Sequence, residues 1–291
     1  MDRPGCVVHV WDVPGEPRPR YTALPGIGAV LHRLGDAVGL THMGVHVRTI
    51  EPGKAGTNRH FHLVEEEWVY VLSGRGAVRI GPHRLPVRPG SFVGFPPGPR
   101  PHHFIAEGDT SLVLLEGGER RPAEDVGCWV DIPTWWRAGR LLEHGDPLPP
   151  EEGDRAQCIH VDELETRRFQ HDVDAAARRT MRRLNRPTGL VRQSVVWAQV
   201  EPGEHSTAFH THDRTDEWVF ILAGRARVRC GDVWFEAGPH DFIGHPAGGP
   251  AHVMEPAEPL TYLMGGEIND DDIVIYPEAG VRRVRGRLEP I

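Results

Sequence analysis

The 291-residue chain contains no run of about 18 apolar residues, the length a bilayer-crossing helix needs. Its first residues, MDRPGCVVHVWDVPG, lack the apolar centre of a secretory signal. Neither a membrane partner nor export is expected, and the cytoplasm is the expected compartment. Cysteine is scarce. Cys6, Cys128, Cys158 and Cys230 are scattered and form no C-x-x-C pair, which argues against a disulfide framework and a thiolate zinc knuckle. Positive charge is short as well, with 33 Lys and Arg against 41 Asp and Glu and a net charge of −8. The basic runs RRTMRR (Arg178–Arg183) and RRVRGR (Arg282–Arg287) are too brief to follow a phosphate backbone, so no nucleic-acid partner is expected.

Glycine (34) and proline (27), by contrast, are plentiful. They punctuate short apolar runs such as GVHVRTI, EWVYVL, GAVRI, SFVGF and SLVLLE at a spacing of roughly ten residues, the pattern of an all-β sandwich or barrel. One segment departs from it. Val161–Leu184 ends in an Ala- and Arg-rich stretch that is expected to be helical before Asn185 and Pro187 stop it.

Displaced by 150 residues, the sequence matches itself. Leu34–Phe104 aligns with Leu184–Met254 without a gap, and 25 of the 71 pairs are identical. A repeat of that length is a whole domain rather than a solenoid unit. The edges repeat more loosely: CVVHV at Cys6 with CIHV at Cys158, GGE at Gly117 with GGE at Gly265, and DIP ending at Pro133 with IYP ending at Pro277. Ala138–Gln157, rich in Pro, Gly and acid, has a linker's composition, which puts one domain at residues 1–147 and the other at 148–291.

Within each copy the chemistry concentrates in one place. Alternation along a strand sends His60 and His62 to the same face. Glu67 opens the next strand, and an antiparallel return brings it back beside them. His102, after a Pro/Gly turn, is the candidate fourth ligand. His210, His212, Glu217 and His252 stand 150 residues further on. Other histidines do not recur, since His42, His46, His83 and His103 correspond to Arg192, Val196, Val233 and Val253. Three imidazoles and a carboxylate at the same spacing in both copies are the donor set of a divalent metal.

The order glycine, H-x-H, four residues, glutamate, six residues, glycine, followed by P-x-G and a later histidine, resembles the cupin signature. Gly53, His60, His62, Glu67 and Gly74 carry the first motif, and Pro96, Gly98 and His102 the second. Gly203, His210, His212, Glu217 and Gly224, with Pro246, Gly248 and His252, carry them again. Two features depart from the commonest pattern: one extra residue precedes each H-x-H, and Ala106 and Pro256 stand where the second motif usually ends in asparagine. The resemblance implies two tandem jelly-roll β-barrels (double-stranded β-helices) with little helix. It also implies a metal inside each barrel, up to two per chain, with Fe, Mn, Zn and Ni as candidates and iron favoured.

With four protein donors, an octahedral ion keeps two adjacent positions open, enough for a bidentate small molecule or for substrate and O₂. A metal-dependent enzyme is expected on this basis, a non-haem dioxygenase acting on a small organic substrate being favoured. The alternatives are a decarboxylase, isomerase or lyase of the cupin type, or a non-catalytic metal-binding bicupin. Copy one surrounds its ligands with Arg48, Arg59, Arg100 and His103, which suits an anionic substrate. Copy two offers Trp197 and His245 instead. Trp68, Tyr70 and Leu72, and likewise Trp218, Phe220 and Leu222, alternate with the inward positions and must be covered by the other domain or by another chain, which leaves a homo-oligomer open.

Overall fold

The computed structural model describes residues 4–18, 25–142 and 158–291. Strands build it almost entirely. Among the described residues the one α-helix is Leu34–Ala37, and no helix is long and apolar enough to cross a membrane. The expected domain boundary near residue 150 lies outside the described residues.

Each copy folds as an antiparallel barrel. The outer wall is a second seven-stranded sheet in barrel one and a four- and a three-stranded sheet in barrel two, and the wall toward the other barrel is a seven-stranded sheet in both. In barrel one that sheet runs Cys158–His160, Ser91–Phe95, Glu67–Ser73, Leu112–Glu119, Met43–Ile50, Ala29–Arg33, Gly15–Arg18. In barrel two it runs Val7–His9, Asp241–His245, Glu217–Ala223, Leu260–Glu267, Gln193–Val200, Arg178–Arg183, Arg167–Gln170. The first strand of each sheet belongs to the opposite half of the chain. Val7–His9 pairs with Asp241–His245, and Cys158–His160 pairs with Ser91–Phe95. The loosely repeated CVVHV and CIHV are thus exchanged edge strands.

Parity along the central strand divides the side chains as the sequence pattern requires. Val69 and Val71 enter the core of barrel one, and Val219 and Ile221 that of barrel two. Trp68, Tyr70, Trp218 and Phe220 join a third cluster between the barrels, with Leu72 and Leu222 packed on it. The two indoles stack at 5.0 Å between centroids, flanked by Phe92 and Phe242 at 6.3 and 6.2 Å. Their closeness explains the repeated GGE. A Cβ on Gly117 would lie 2.4 Å from the Trp68 ring, and one on Gly265 would lie 2.6 Å from the Trp218 ring.

Polar contacts cross the same seam reciprocally. The buried Glu66 carboxylate accepts from the backbone N–H groups of Val191, Arg192 and Gln193 at 2.9–3.0 Å. Its counterpart Asp216 accepts from Thr41 and His42, both at 2.7 Å. Arg192 pairs with Glu119 and His42 with Glu267.

The helix expected in Val161–Leu184 does not form. That segment holds a 3₁₀ turn (Val161–Glu163) and the strands Arg167–Gln170 and Arg178–Arg183. Arg178–Arg183 is hydrogen-bonded on both sides, to Arg167–Gln170 and to Gln193–Val200, with Met181 turned into the barrel. Backbone pairing on two flanks outweighs the few tenths of a kcal/mol per residue by which Ala and Arg favour helix.

Because the seam is made of large, fully buried rings, Trp68→Ala or Trp218→Ala should cost about 3–5 kcal/mol. Chemical denaturation should show both barrels of the wild type unfolding in one transition. Two separate transitions would mean that the seam does not bind the barrels into one unit.

Candidate metal centres

Three strands assemble each cluster, with His210 of barrel two just ahead of its strand, Thr211–His212, and bridged to His252. In barrel one, His60 and His62 lie on His60–His62, Glu67 opens Glu67–Ser73, and His102 opens His102–Ala106 directly opposite His60. Nε2 of His102, His62 and His60 lie 3.1, 3.6 and 3.9 Å from the Glu67 carboxylate. In barrel two, Nε2 of His252, His210 and His212 lie 2.9, 3.4 and 3.7 Å from that of Glu217. All eight expected ligands therefore come together, four to a barrel.

The far side of each ring is held as well. Nδ1–H of His60 donates to the Asn58 carbonyl at 3.0 Å, that of His102 to the Arg100 carbonyl at 3.1 Å, and that of His210 to the Ala208 carbonyl at 2.9 Å. His62 and His212 donate instead to carboxylates, Asp125 at 2.6 Å and Asp272 at 2.5 Å. Only the His252 Nδ1, among these six rings, has no hydrogen-bond partner among the described residues. A donor on Nδ1 leaves the lone pair on Nε2, facing the carboxylate. Three such nitrogens in barrel one, and two together with the His252 Nε2 in barrel two, join a carboxylate oxygen in a donor set that fits a divalent ion.

Charge is finely balanced in the clusters. Burial pushes the Glu67 carboxyl up, but His62, His102 and His60 together hold it well below the usual carboxylate range. Burial and the facing His102 lower His60 to about 3. Burial also works against charge on His62, yet Glu67 and Asp125 win and raise it to about 9. The same directions hold in barrel two, with His210 and Glu217 lowered and His212 raised.

A cavity of about 230 Å³ enters barrel one and ends on His60, Glu67 and His102. Arg48 lies in its wall, bidentate to Glu116 at 2.8 and 2.7 Å and donating to the Gly56 carbonyl at 3.0 Å. Burial opposes its charge, but Glu116 raises its pKa further. His46 and His103 also line the cavity.

The cupin domain model matches residues 46–117 and again 196–264. The chain is a bicupin. Among solved structures, the bicupin superposes on a variant of oxalate decarboxylase OxdC from Bacillus subtilis with a TM-score of 0.61 at 17% identity, over 94% of this chain and 80% of that one. Lactobacillus farciminis oxalate decarboxylase in a formate complex gives 0.60 at 14% identity, over 92% and 87%. The Escherichia coli protein YlbA gives 0.60 at 13% identity, over 93% and 94%. At such identities the likeness is one of fold. Comparison with curated proteins finds no match.

Other residues singled out from the sequence fall in different places. Arg48 and His103 reach the cavity of the bicupin. Arg59, one residue out of phase with His60, turns away and pairs with Asp131 at 2.6 Å. Trp197 lies on the outer face of its strand, beneath the Arg182 guanidinium and against the seam, because Val196 and Ala198 take the inward positions. Parity excludes it from the site. His245 does reach barrel two's cluster, but it lies flat on His252 at 3.4 Å, as Phe95 lies on His102 at 3.7 Å.

The sequence reading missed Asp125 and Asp272. Gly127 sits opposite His62 and Val274 opposite His212, so these strands are related by 147 residues rather than 150. Trp129 therefore corresponds to Tyr276, and the match of Pro133 with Pro277 is out of register.

A metal must displace the proton that Glu67 and Asp125 stabilise on His62. Affinity at barrel one should therefore rise with pH up to about 9 and fall as pH drops below it. A chelator-competition titration from pH 6 to 9 should show roughly tenfold tighter binding per pH unit, one proton being released. Affinity independent of pH would show that His62 is not a ligand.

Proposed function

We propose that each barrel binds one divalent metal, through His60, His62, Glu67 and His102 in the first and His210, His212, Glu217 and His252 in the second. We further propose that barrel one is a lyase site, of decarboxylase type, for a small carboxylate. The ion in this donor set carries a net charge of about +1 and supplies Lewis acidity toward a bound carboxylate.

The observation that carries the reading is the Arg48–Glu116 pair in the wall of a cavity that ends on the metal ligands. Buried ion pairs can usually be replaced by apolar residues of similar volume without loss of stability. Barrel two makes that replacement. In register, Ala198 stands for Arg48, Met264 for Glu116 and Val196 for His46. The fold does not need the pair, so its presence is best explained by a ligand. A guanidinium holds a carboxylate in a defined plane, and the cavity volume limits that ligand to a small molecule.

Oxalate decarboxylases are among the fold relatives, and manganese(II) centres are named for the Bacillus subtilis enzyme. They favour a lyase over the dioxygenase expected from the open coordination positions, which serve a chelating carboxylate equally well. They also support manganese as a candidate for the divalent ion.

Release of CO₂ from oxalate and other short carboxylates, measured in air and under argon, tests the reading. Turnover should persist without O₂ and disappear in Glu67→Ala. Arg48→Ala/Glu116→Met, which reproduces the interior of barrel two, should keep its fold and metal while KM rises by about 10–100-fold, the worth of a charge-assisted hydrogen bond. Turnover that requires O₂ would return the assignment to a dioxygenase. An unchanged KM would remove Arg48 from the substrate site.

A further inference from the structure

Among the described residues, His62 and His212 alone of the six clustered histidines donate Nδ1–H to a side chain. Asp125 Oδ2 accepts from His62, while its Oδ1 accepts from the backbone N–H groups of Val64 and Glu65 at 2.9 and 3.2 Å. Asp272 repeats the arrangement, with Oδ2 on His212 and Oδ1 accepting from Arg214 N–H at 2.9 Å. Each carboxylate thus grips one ligand ring and the loop that leads from it to the ligand glutamate.

The recurrence is informative because the sequence does not enforce it. ERRPAED leads to Asp125 and EINDDD to Asp272, segments of different length and composition. The same carboxylate nevertheless arrives beside the same ring in both barrels, two residues before the residue that faces it across the strand pair. In barrel one, His62, Glu65 and Asp125 also present atoms within 4.8 Å of one another, spacing that would suit a separate ion. Those atoms are already engaged. Asp125 takes three donors, and Glu65 accepts from the Arg121 N–H at 2.5 Å.

We propose that Asp125 and Asp272 are positioning residues for the two metal centres, each fixing one histidine as the Nδ1–H tautomer with Nε2 aimed inward. The inference rests on the metal reading above. A charged acceptor makes the imidazole a stronger donor than a neutral carbonyl does, and it limits the ring to one orientation. Asparagine cannot substitute fully. It has one acceptor oxygen for a position that serves both a ring and a loop.

The test is manganese(II) binding by the full-length chain, followed by competition with a chromophoric chelator and by the electron paramagnetic resonance of the bound ion. His60→Ala and His210→Ala identify which signal belongs to which barrel. Asp125→Asn should weaken the barrel-one site about 10–100-fold and alter its spectrum while barrel two stays unchanged, and Asp272→Asn should do the converse. Thermal melts of the metal-free variants separate positioning from folding. Equal weakening of both sites, in step with a lowered melting temperature, would make the aspartates merely structural and overturn the proposal. Unchanged site-specific affinity would overturn it as well. A wild-type chain that binds no manganese(II), iron(II) or zinc would instead overturn the metal reading and take this inference with it.

Discussion

Two indoles, Trp68 and Trp218, lie face to face 5.0 Å apart at the centre of the seam between the barrels, and both candidate centres hang from the strands that carry them. The reason is parity. A strand whose odd residues face a metal must present its even residues to something else. Glu67, Val69 and Val71 look inward, so Trp68, Tyr70 and Leu72 cannot, and the other barrel is their cover. Burial of each ring contributes about 1.5–3 kcal/mol, and stacking adds about 0.5–1.5. The residue just before each ligand glutamate completes the joint. Glu66 and Asp216 are carboxylates without solvent, a position tolerable only because backbone N–H groups of the opposite barrel surround them. The strand that positions Glu67 is therefore gripped at its start by the second barrel, and the converse holds for Glu217.

The exchanged edge strands act in the same direction. Val7–His9 and Cys158–His160 each cap an edge that would otherwise present unpaired backbone groups to solvent. Each half of the chain thus completes the sheet of the other, and the seam is covalently continuous at both ends.

Much of this was legible in the sequence wherever the signal was local or periodic. The two His/Glu clusters could be read because H-x-H and the following glutamate obey strand alternation and recur at a constant offset. The apolar seam could be read for the same reason. Trp197 was misjudged although parity sufficed to exclude it, since Arg48 and Ala198 share the inward register that Trp197 lacks. Asp125 and Asp272 were hidden by a change of offset from 150 to 147, which only the pairing of their strands with the H-x-H strands exposes. Arg178–Arg183 was hidden because its partners lie on two other segments, while helix propensity is read within the segment itself. Strand exchange is likewise a non-local fact. The echo of CVVHV in CIHV marks it as repeated without saying whose sheet it joins.

The two interiors diverge in a way that bears on what Arg48 does. In barrel one its guanidinium donates to the Gly56 carbonyl as well as to Glu116. The equivalent carbonyl in barrel two, that of Ser206, also receives a guanidinium, but from Arg179 at 2.6 Å. Arg179 stands where barrel one has Ala29, on the neighbouring strand, and its guanidinium lies over the Phe169 ring at 4.6 Å. Satisfying that carbonyl therefore does not require an arginine at position 48, nor a glutamate beside it. Barrel two meets the demand from another strand and fills the inner wall with Ala198 and Met264. Barrel one keeps a paired charge at the same depth, close to the ligand carboxylate, and leaves open space in front of it. Desolvating that pair opposes folding, and the packing of barrel two demonstrates that the scaffold has an apolar solution. A ligand that brings its own charge into the cavity would offset that cost, which is the physical ground for proposing the chemistry in the first barrel rather than in both equally.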